Sequence, residues 1–269
     1  MFTLPPTHPA LVPATTPTHH RARITSAALT QPNLSVSDED DPTSLRSTWS
    51  HRAWVSTGCA SVLVPLADSL SSLTDPASCA ESALAVLVGY ALADLGTGIY
   101  HWAIDNYGDA STPFQGHHRR PWTITRRGFA NNLHALARAV ALTVLPIEAV
   151  LLAHGGHPAA QAFVGACAGC VMFSQQFHAW AHGTRSRLPK AVVALQEAGV
   201  LVSRAEHARH HRAPYDGNYC IVSGLWNRVL DESRFFEAAE MVVFLRFGVR
   251  PRSWDETAAE WMEETGSDS

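Results

Sequence analysis

The sequence predicts an all-α fold, an integral membrane helical bundle with about four spanning helices. Three observations lead there. Four apolar stretches lie between Ala53 and Ala181, and one of them, Pro158–Ala181, is uncharged over more than the ~20 residues a membrane helix needs. Charged residues make up 16% of the 269-residue chain, against about 25% in ordinary soluble domains, and hydrophobic ones 46%. The mean hydropathy of -0.04 averages polar ends with a strongly apolar middle.

The elements follow in order. Met1–Ser37 contains no Asp or Glu but is rich in Ser, Thr, Pro and Ala, with Arg21 and Arg23. That acid-poor character marks a mitochondrial or chloroplast transit segment, and a secretory signal would need an apolar run that is missing. Asp38-Glu39-Asp40-Asp41 ends the acid-free zone, so residues 1–45 are expected to be disordered targeting sequence. Ala53–Leu73 is the weakest apolar stretch, interrupted by Pro65 and Asp68. Ser82–Ile104 holds one charge, Asp94, whereas His134–Ala153 holds Arg138 and Glu148 as well as Pro146. Gly155-Gly156-His157-Pro158 reads as a tight turn, which makes the last two stretches an antiparallel hairpin. A helix of a soluble core keeps a polar face, and Pro158–Ala181 has none. Lys190–Arg204 is short and amphipathic, suited to the interface. Ala205–Trp254 is polar and mixed, and the acidic residues 255–269 read as a disordered tail. The membrane domain is thus expected over residues 50–254.

A net charge of -4 with no basic domain excludes a nucleic-acid partner. Five scattered cysteines exclude a disulfide framework. The fifteen histidines are the anomaly, because they are grouped. His178 and His182 stand at i and i+4 on one helix face, and His207, His210 and His211 fall within one turn. His117-His118 is an adjacent pair, and His101 with Asp105 forms another i, i+4 pair. If Ser82–Ile104 leads to one membrane face, His101, His117 and His118 lie there. The hairpin starting at His134 returns His178 and His182 to the same face after one round trip, and His207, His210 and His211 follow without another crossing. His154 and His157 fall in the turn on the opposite side and are excluded. Eight imidazoles suit two transition metals rather than one structural zinc, and nitrogen ligation alone does not choose among Fe, Zn, Cu and Ni. No His-Glu-x-x-His motif is present for a zinc protease, nor paired Glu-x-x-His motifs of the soluble di-iron bundles.

Gln115-Gly-His-His-x-x-Pro121, Gln176-Phe-His-Ala-Trp-Ala-His182 and His207-x-x-His-His211 followed by Tyr219-Cys220 together resemble the Kua/plasmanylethanolamine desaturase superfamily. Phe129-Ala-Asn-Asn-Leu-His134 and Gly248-Val-Arg-Pro-Arg-Ser-Trp254 bring the text nearer to the plastid palmitoyl-phosphatidylglycerol trans-3 desaturases, the fatty acid desaturase 4 family. The resemblance implies two iron ions held by His101, His117, His118, His178, His182, His207, His210 and His211, with Asp105 as a further site residue. His134 and Asn132 would bind metal directly or through water, the plainer reading being a helix-start residue bonded locally. Asp94, seven residues before His101 and on roughly the same helical face, is expected to support that ring from behind the metal ligands or else to make an interhelical hydrogen bond.

The same resemblance implies an oxygen-dependent acyl-lipid desaturase in a chloroplast membrane, thylakoid or envelope. Its electrons would come from an external donor, ferredoxin in a plastid. Arg119, Arg120, Arg126 and Arg127 are candidates for an anionic lipid head group, the alternative being a positive rim that fixes topology. A lipid hydroxylase on the same scaffold and a metal carrier are the rival functions. A carrier would spread its ligands along a path through the membrane, whereas these gather on one face.

Overall fold

A computed structural model of the chain describes residues 44–108, 117–118, 121–212 and 215–254. The expected targeting segment up to residue 43, the acidic tail, Arg119 and Arg120 lie outside the described residues. Four long helices form the bundle: α1 (Trp49–Ser71), α2 (Pro76–Tyr107), α4 (Phe129–Ala153) and α5 (Pro158–His182). The short helix α3 (Thr123–Arg126) precedes α4. After α5 come α6 (Lys190–Glu197), α7 (Arg204–His210), α8 (Asn227–Glu232) and α9 (Phe235–Phe247). Among the described residues there is no strand.

Polar caps, not the apolar runs, set the helix ends. Thr48 caps α1 by accepting from the His51 backbone N–H, while His51 Nδ1 accepts from the Thr48 N–H. Asp75 accepts from the N–H groups of Ala77 and Ser78, with Pro76 at the first helical position of α2. α1 and α2 therefore start before the stretches that hydrophobicity marks; α4 does so too, from Gly128 and without a side-chain cap. α2 is 32 residues long, about 48 Å at 1.5 Å per residue, against a hydrocarbon core of about 30 Å. The helix is therefore longer than the hydrocarbon core is thick, and His101 and Asp105 stand in its last turns.

Three helices, α1, α2 and α4, are long and apolar enough to cross a membrane. The uncharged stretch Pro158–Ala181 falls short of them, although α5 is as long as α4, because it carries Gln161, Ser174, Gln175 and Gln176. Its place in the fold explains the difference. α5 is the central helix and packs against α1, α2 and α4, so its polar groups meet protein. Gln161, for example, donates to the buried Glu148 carboxylate of α4 at 3.2 Å. The outer helices instead present Leu63, Leu84, Leu87, Leu142 and Leu145 outward. Gly89 of α2 lets the central helix come close: a Cβ there would stand 2.9 Å from the Phe163 carbonyl oxygen and 3.4 Å from Cys167 Cβ.

The starts of α1 and α4 share one end of the bundle, because the Gly128 N–H donates to the Leu45 carbonyl at 2.8 Å. The ends of α2 and α5 join them there: His101 and His178 have ring centroids 5.6 Å apart, and Asn132 near the start of α4 donates to Gln175 O at 3.1 Å. The chain after α5 closes over this end. One part of it departs from the polar, mixed character expected for residues 205–254. α9 is mostly apolar, interrupted by Glu237, Glu240 and Arg246, and Met241, Val242, Leu245 and Phe247 are exposed on it.

Candidate metal centre

Two sets of ligand atoms meet at the common end of α2 and α5. In the first, His117, His178, His182, His207 and His211 each offer a ring nitrogen, and these atoms all lie within 4.8 Å of one another. His117 Nε2 is 2.9 Å from His178 Nε2 and 3.0 Å from His182 Nε2, and His207 Nε2 is 2.8 Å from His182 Nε2. In the second, His101, Asp105, His118 and His210 converge in the same way. Asp105 Oδ2 is 3.2 Å from Nε2 of both His118 and His210, and 3.5 Å from His101 Nε2. The two sets adjoin, since the rings of His118 and His211 are 4.9 Å apart.

Helical periodicity does much of the gathering. His178 and His182, His207 and His211, and His101 and Asp105 are each stacked one turn apart, while tertiary packing brings the turns together. Backbone carbonyls then fix individual rings. His101 Nδ1 faces the Tyr219 carbonyl at 2.9 Å, and His210 Nδ1 faces the Gly217 carbonyl at 2.9 Å. A carbonyl only accepts, so Nδ1 carries the proton and each neutral ring turns an unprotonated Nε2 inward. Those lone pairs face the Asp105 carboxylate. Without a cation the contact is repulsive in a buried place; with one it is a ligand set. The residues therefore fit a transition metal in each group, imidazole-only in one and imidazole with carboxylate in the other.

Outside the spanning helices, burial, followed by His178 and His182, holds His207 well below the ordinary histidine range. Burial, followed by His182 and His118, does the same to His117. Both rings are neutral at physiological pH, the state that ligates metal.

The structure places the other candidates elsewhere. Asp94 stands back from His101 and holds a loop. Its buried carboxylate accepts from the backbone N–H groups of Val222, Ser223, Gly224 and Trp226. Asp94 therefore ties the loop carrying Tyr219 onto α2 and acts on His101 through that loop. His134 lies outside both groups; its Nδ1 donates to the Asn131 carbonyl, and its ring stacks on His51 with centroids 3.9 Å apart. Asn132 spends its amide on Gln175 O and Gln176 Oε1, about one turn below His178. Arg126 lines a separate cleft, beside Arg127 in sequence. His154 and His157 sit at the opposite end, exposed, at the end of α4 and the start of α5.

Arg252 is a feature that sequence reasoning missed. Its guanidinium caps the end of α2, donating to the carbonyls of Asp105 at 2.6 Å and of Gly108. Ser253 N donates to Asn106 Oδ1, and Trp254 Nε1 to the buried Glu240 carboxylate, which also receives Trp102 Nε1. The Gly248–Trp254 motif thus clamps the helix end that bears two of the metal-facing groups. No sequence signal pointed to this, because Arg252 stands 147 residues from Asp105 and reaches the end of α2 only in the fold.

The profile of the lipid desaturase domain family matches residues 90–254. Fatty acid desaturase 4, chloroplastic, of Arabidopsis thaliana is 59% identical over 226 residues, 81% of this chain and 69% of that protein. Fatty acid desaturase 4-like 1, chloroplastic, of the same plant is 49% identical, over 92% of this chain and 84% of its own length. A plasmanylethanolamine desaturase of Myxococcus xanthus is 33% identical over 64% of this chain and 63% of its own. No solved structure matches the chain. Every residue of both ligand groups falls inside the matched segment, and the chain belongs to the lipid desaturase family, on its fatty acid desaturase 4 branch.

Proposed function

We infer that this lipid desaturase places a trans-3 double bond in palmitate carried by phosphatidylglycerol, in a multi-pass form in a chloroplast membrane, thylakoid or envelope. The observation that carries the reading is the pair of adjoining ligand groups, eight imidazoles and a carboxylate gathered at one end of the helical bundle. His117, His178, His182, His207 and His211 would hold one iron ion, and His101, Asp105, His118 and His210 the other. Two iron ions bound there would, once given two electrons, supply the O2-dependent oxidation needed to remove two hydrogens from unactivated methylenes. Those hydrogens, the two electrons, two further protons and O2 leave as water.

The chain's own residues set the conditions for that chemistry. Asp105 offsets part of the positive charge that neutral imidazoles leave in place. The carbonyls of Tyr219 and Gly217 accept from Nδ1 of His101 and His210 and so orient the Nε2 edge of each ring toward the centre. Tyr219, fully buried and packed on both of those rings, keeps water from their outer side. With both groups gathered at one end of the bundle, carbons near the lipid head group would be those within reach. The chain carries no flavin or haem signature, so the electrons come from a partner, for which a plastid ferredoxin is the donor proposed. The chloroplastic names of the plant relatives support the compartment.

The test is the fatty-acid profile of each lipid class in plant tissue lacking the endogenous activity, supplied with the native chain or His178→Ala. A new unsaturated 16-carbon chain confined to phosphatidylglycerol, absent with the variant, is expected. A double bond in another lipid would discard the substrate and keep the desaturase. A hydroxylated chain would move the reaction to hydroxylation.

A further inference from the structure

A cleft of about 580 Å³ opens at the metal-bearing end of the bundle, lined by Leu45, Arg46, Ser47, Arg52, Arg126 and Gly128. Its walls are built from the strap before α1 and the corner between α3 and α4. The strap is held by its backbone. Asn131 donates its side-chain amide to the carbonyls of Ser44 at 2.7 Å and Arg46 at 3.0 Å, and its own N–H to Ser47 Oγ at 3.1 Å. Arg46 is thereby kept beside the start of α4. Arg52 lies over the Trp49 ring at 5.0 Å.

The three arginines share one concavity, and in this they differ from four arginines neutralised elsewhere. Arg185, Arg209, Arg228 and Arg234 are each paired with a glutamate. Among the described residues, no carboxylate pairs with Arg46, Arg52 or Arg126. Three uncompensated guanidinium groups around one concavity match a phosphate, which takes several N–H donors and prefers the arginine fork. The volume is in the range of small-ligand sites, roughly 300–1,000 Å³. Trp49, Trp122 and Phe129, exposed by 82%, 50% and 52%, belong to the same corner. Exposed aromatic rings at the end of apolar helices mark the level of lipid head groups. The anion that reaches this cleft is therefore attached to an apolar body.

We propose that the Arg46–Arg52–Arg126 cleft binds the phosphate of an anionic phospholipid head group and so holds such a lipid at the membrane face that carries the histidine groups. The assignment rests on the lipid desaturase reading and adds to it a site assembled from segments on either side of α1 and α2. Inorganic phosphate offers the same chemistry without the lipid, and the experiment separates the two.

The full chain, metal-loaded and reconstituted in phosphatidylcholine nanodiscs, is given spin-labelled phosphatidylglycerol, and the immobilised fraction is measured. Arg52→Gln/Arg126→Gln is expected to weaken this binding by about tenfold or more, about 1.4 kcal/mol. Arg52→Lys, which keeps the charge and loses the fork, should fall between. Unchanged metal content in the variants reports that they are folded. Equal binding by native and double-variant protein would overturn the proposal, as would displacement of the lipid by millimolar inorganic phosphate. Equal lipid binding with slower reduction by ferredoxin would also overturn it and give the arginines to an acidic electron donor. Because binding is read without turnover, a native protein that bound phosphatidylglycerol here but desaturated another lipid would fail the functional reading alone.

Discussion

Asp105 and Asp94 lie on one helix, are both buried, and do different work. Asp105 faces three imidazoles with its Oδ2 oxygen, so its negative charge belongs to whatever cation they share. Asp94 spends its charge on four backbone N–H groups and holds a loop. The eight histidines and Asp105 were legible in the sequence because helical spacing puts such residues on one face, and the round trip of the hairpin returns them to one side. The role of Asp94 was not legible, because its partners lie more than a hundred residues away and are main-chain groups, which have no signature in side-chain text. Asp105→Asn should lower metal affinity in its group by at least about tenfold and abolish product. His134→Ala should leave the metal content of the purified protein as it is. Metal analysis of the two variants side by side checks both, and equal loss would return His134 to the centre.

At the scale of elements, the long helices were readable as apolar runs, while their ends were not. A capping side chain decides where a helix starts, and Thr48 and Asp75 sit outside the runs that hydrophobicity marks. α9 was lost for a different reason: averaged with its polar neighbours over residues 205–254, the ten apolar residues of this thirteen-residue helix leave little trace. The junction of α2 with the loop at Tyr219-Cys220 is the contact most sensitive to a small change. A Cβ at Gly98 would overlap Cys220 Sγ, directly beside the carbonyl that orients His101. Gly98→Ala should therefore destabilise the protein by about 1–3 kcal/mol. In a Cys220→Ala background the same substitution should cost much less, because the overlapping sulfur is gone. Thermal unfolding of the four proteins of this cycle measures the coupling, and simple additivity would show that the contact is not the cause.

The molecule as a whole is a bundle whose two ends differ in chemistry. One end bears a glycine turn flanked by His154 and His157; the other bears both ligand groups, the arginine cleft and exposed aromatic rings. The sequence disclosed the first contrast through topology but not the cleft, since Arg46, Arg52 and Arg126 meet only after α1 and α4 align their starts. The shared end of the ligand groups and the arginine cleft has one more consequence. If the proposed phosphate site holds the lipid there, the centre would work as a ruler whose zero is the glycerol end. The tail's methyl end never enters the measurement. Lipids with the same head group but shorter or longer saturated chains should all be oxidised at one carbon number counted from the carboxyl, and mass spectrometry of the product double bonds would reveal it. A bond whose position shifted with chain length would place the zero of the ruler at the other end.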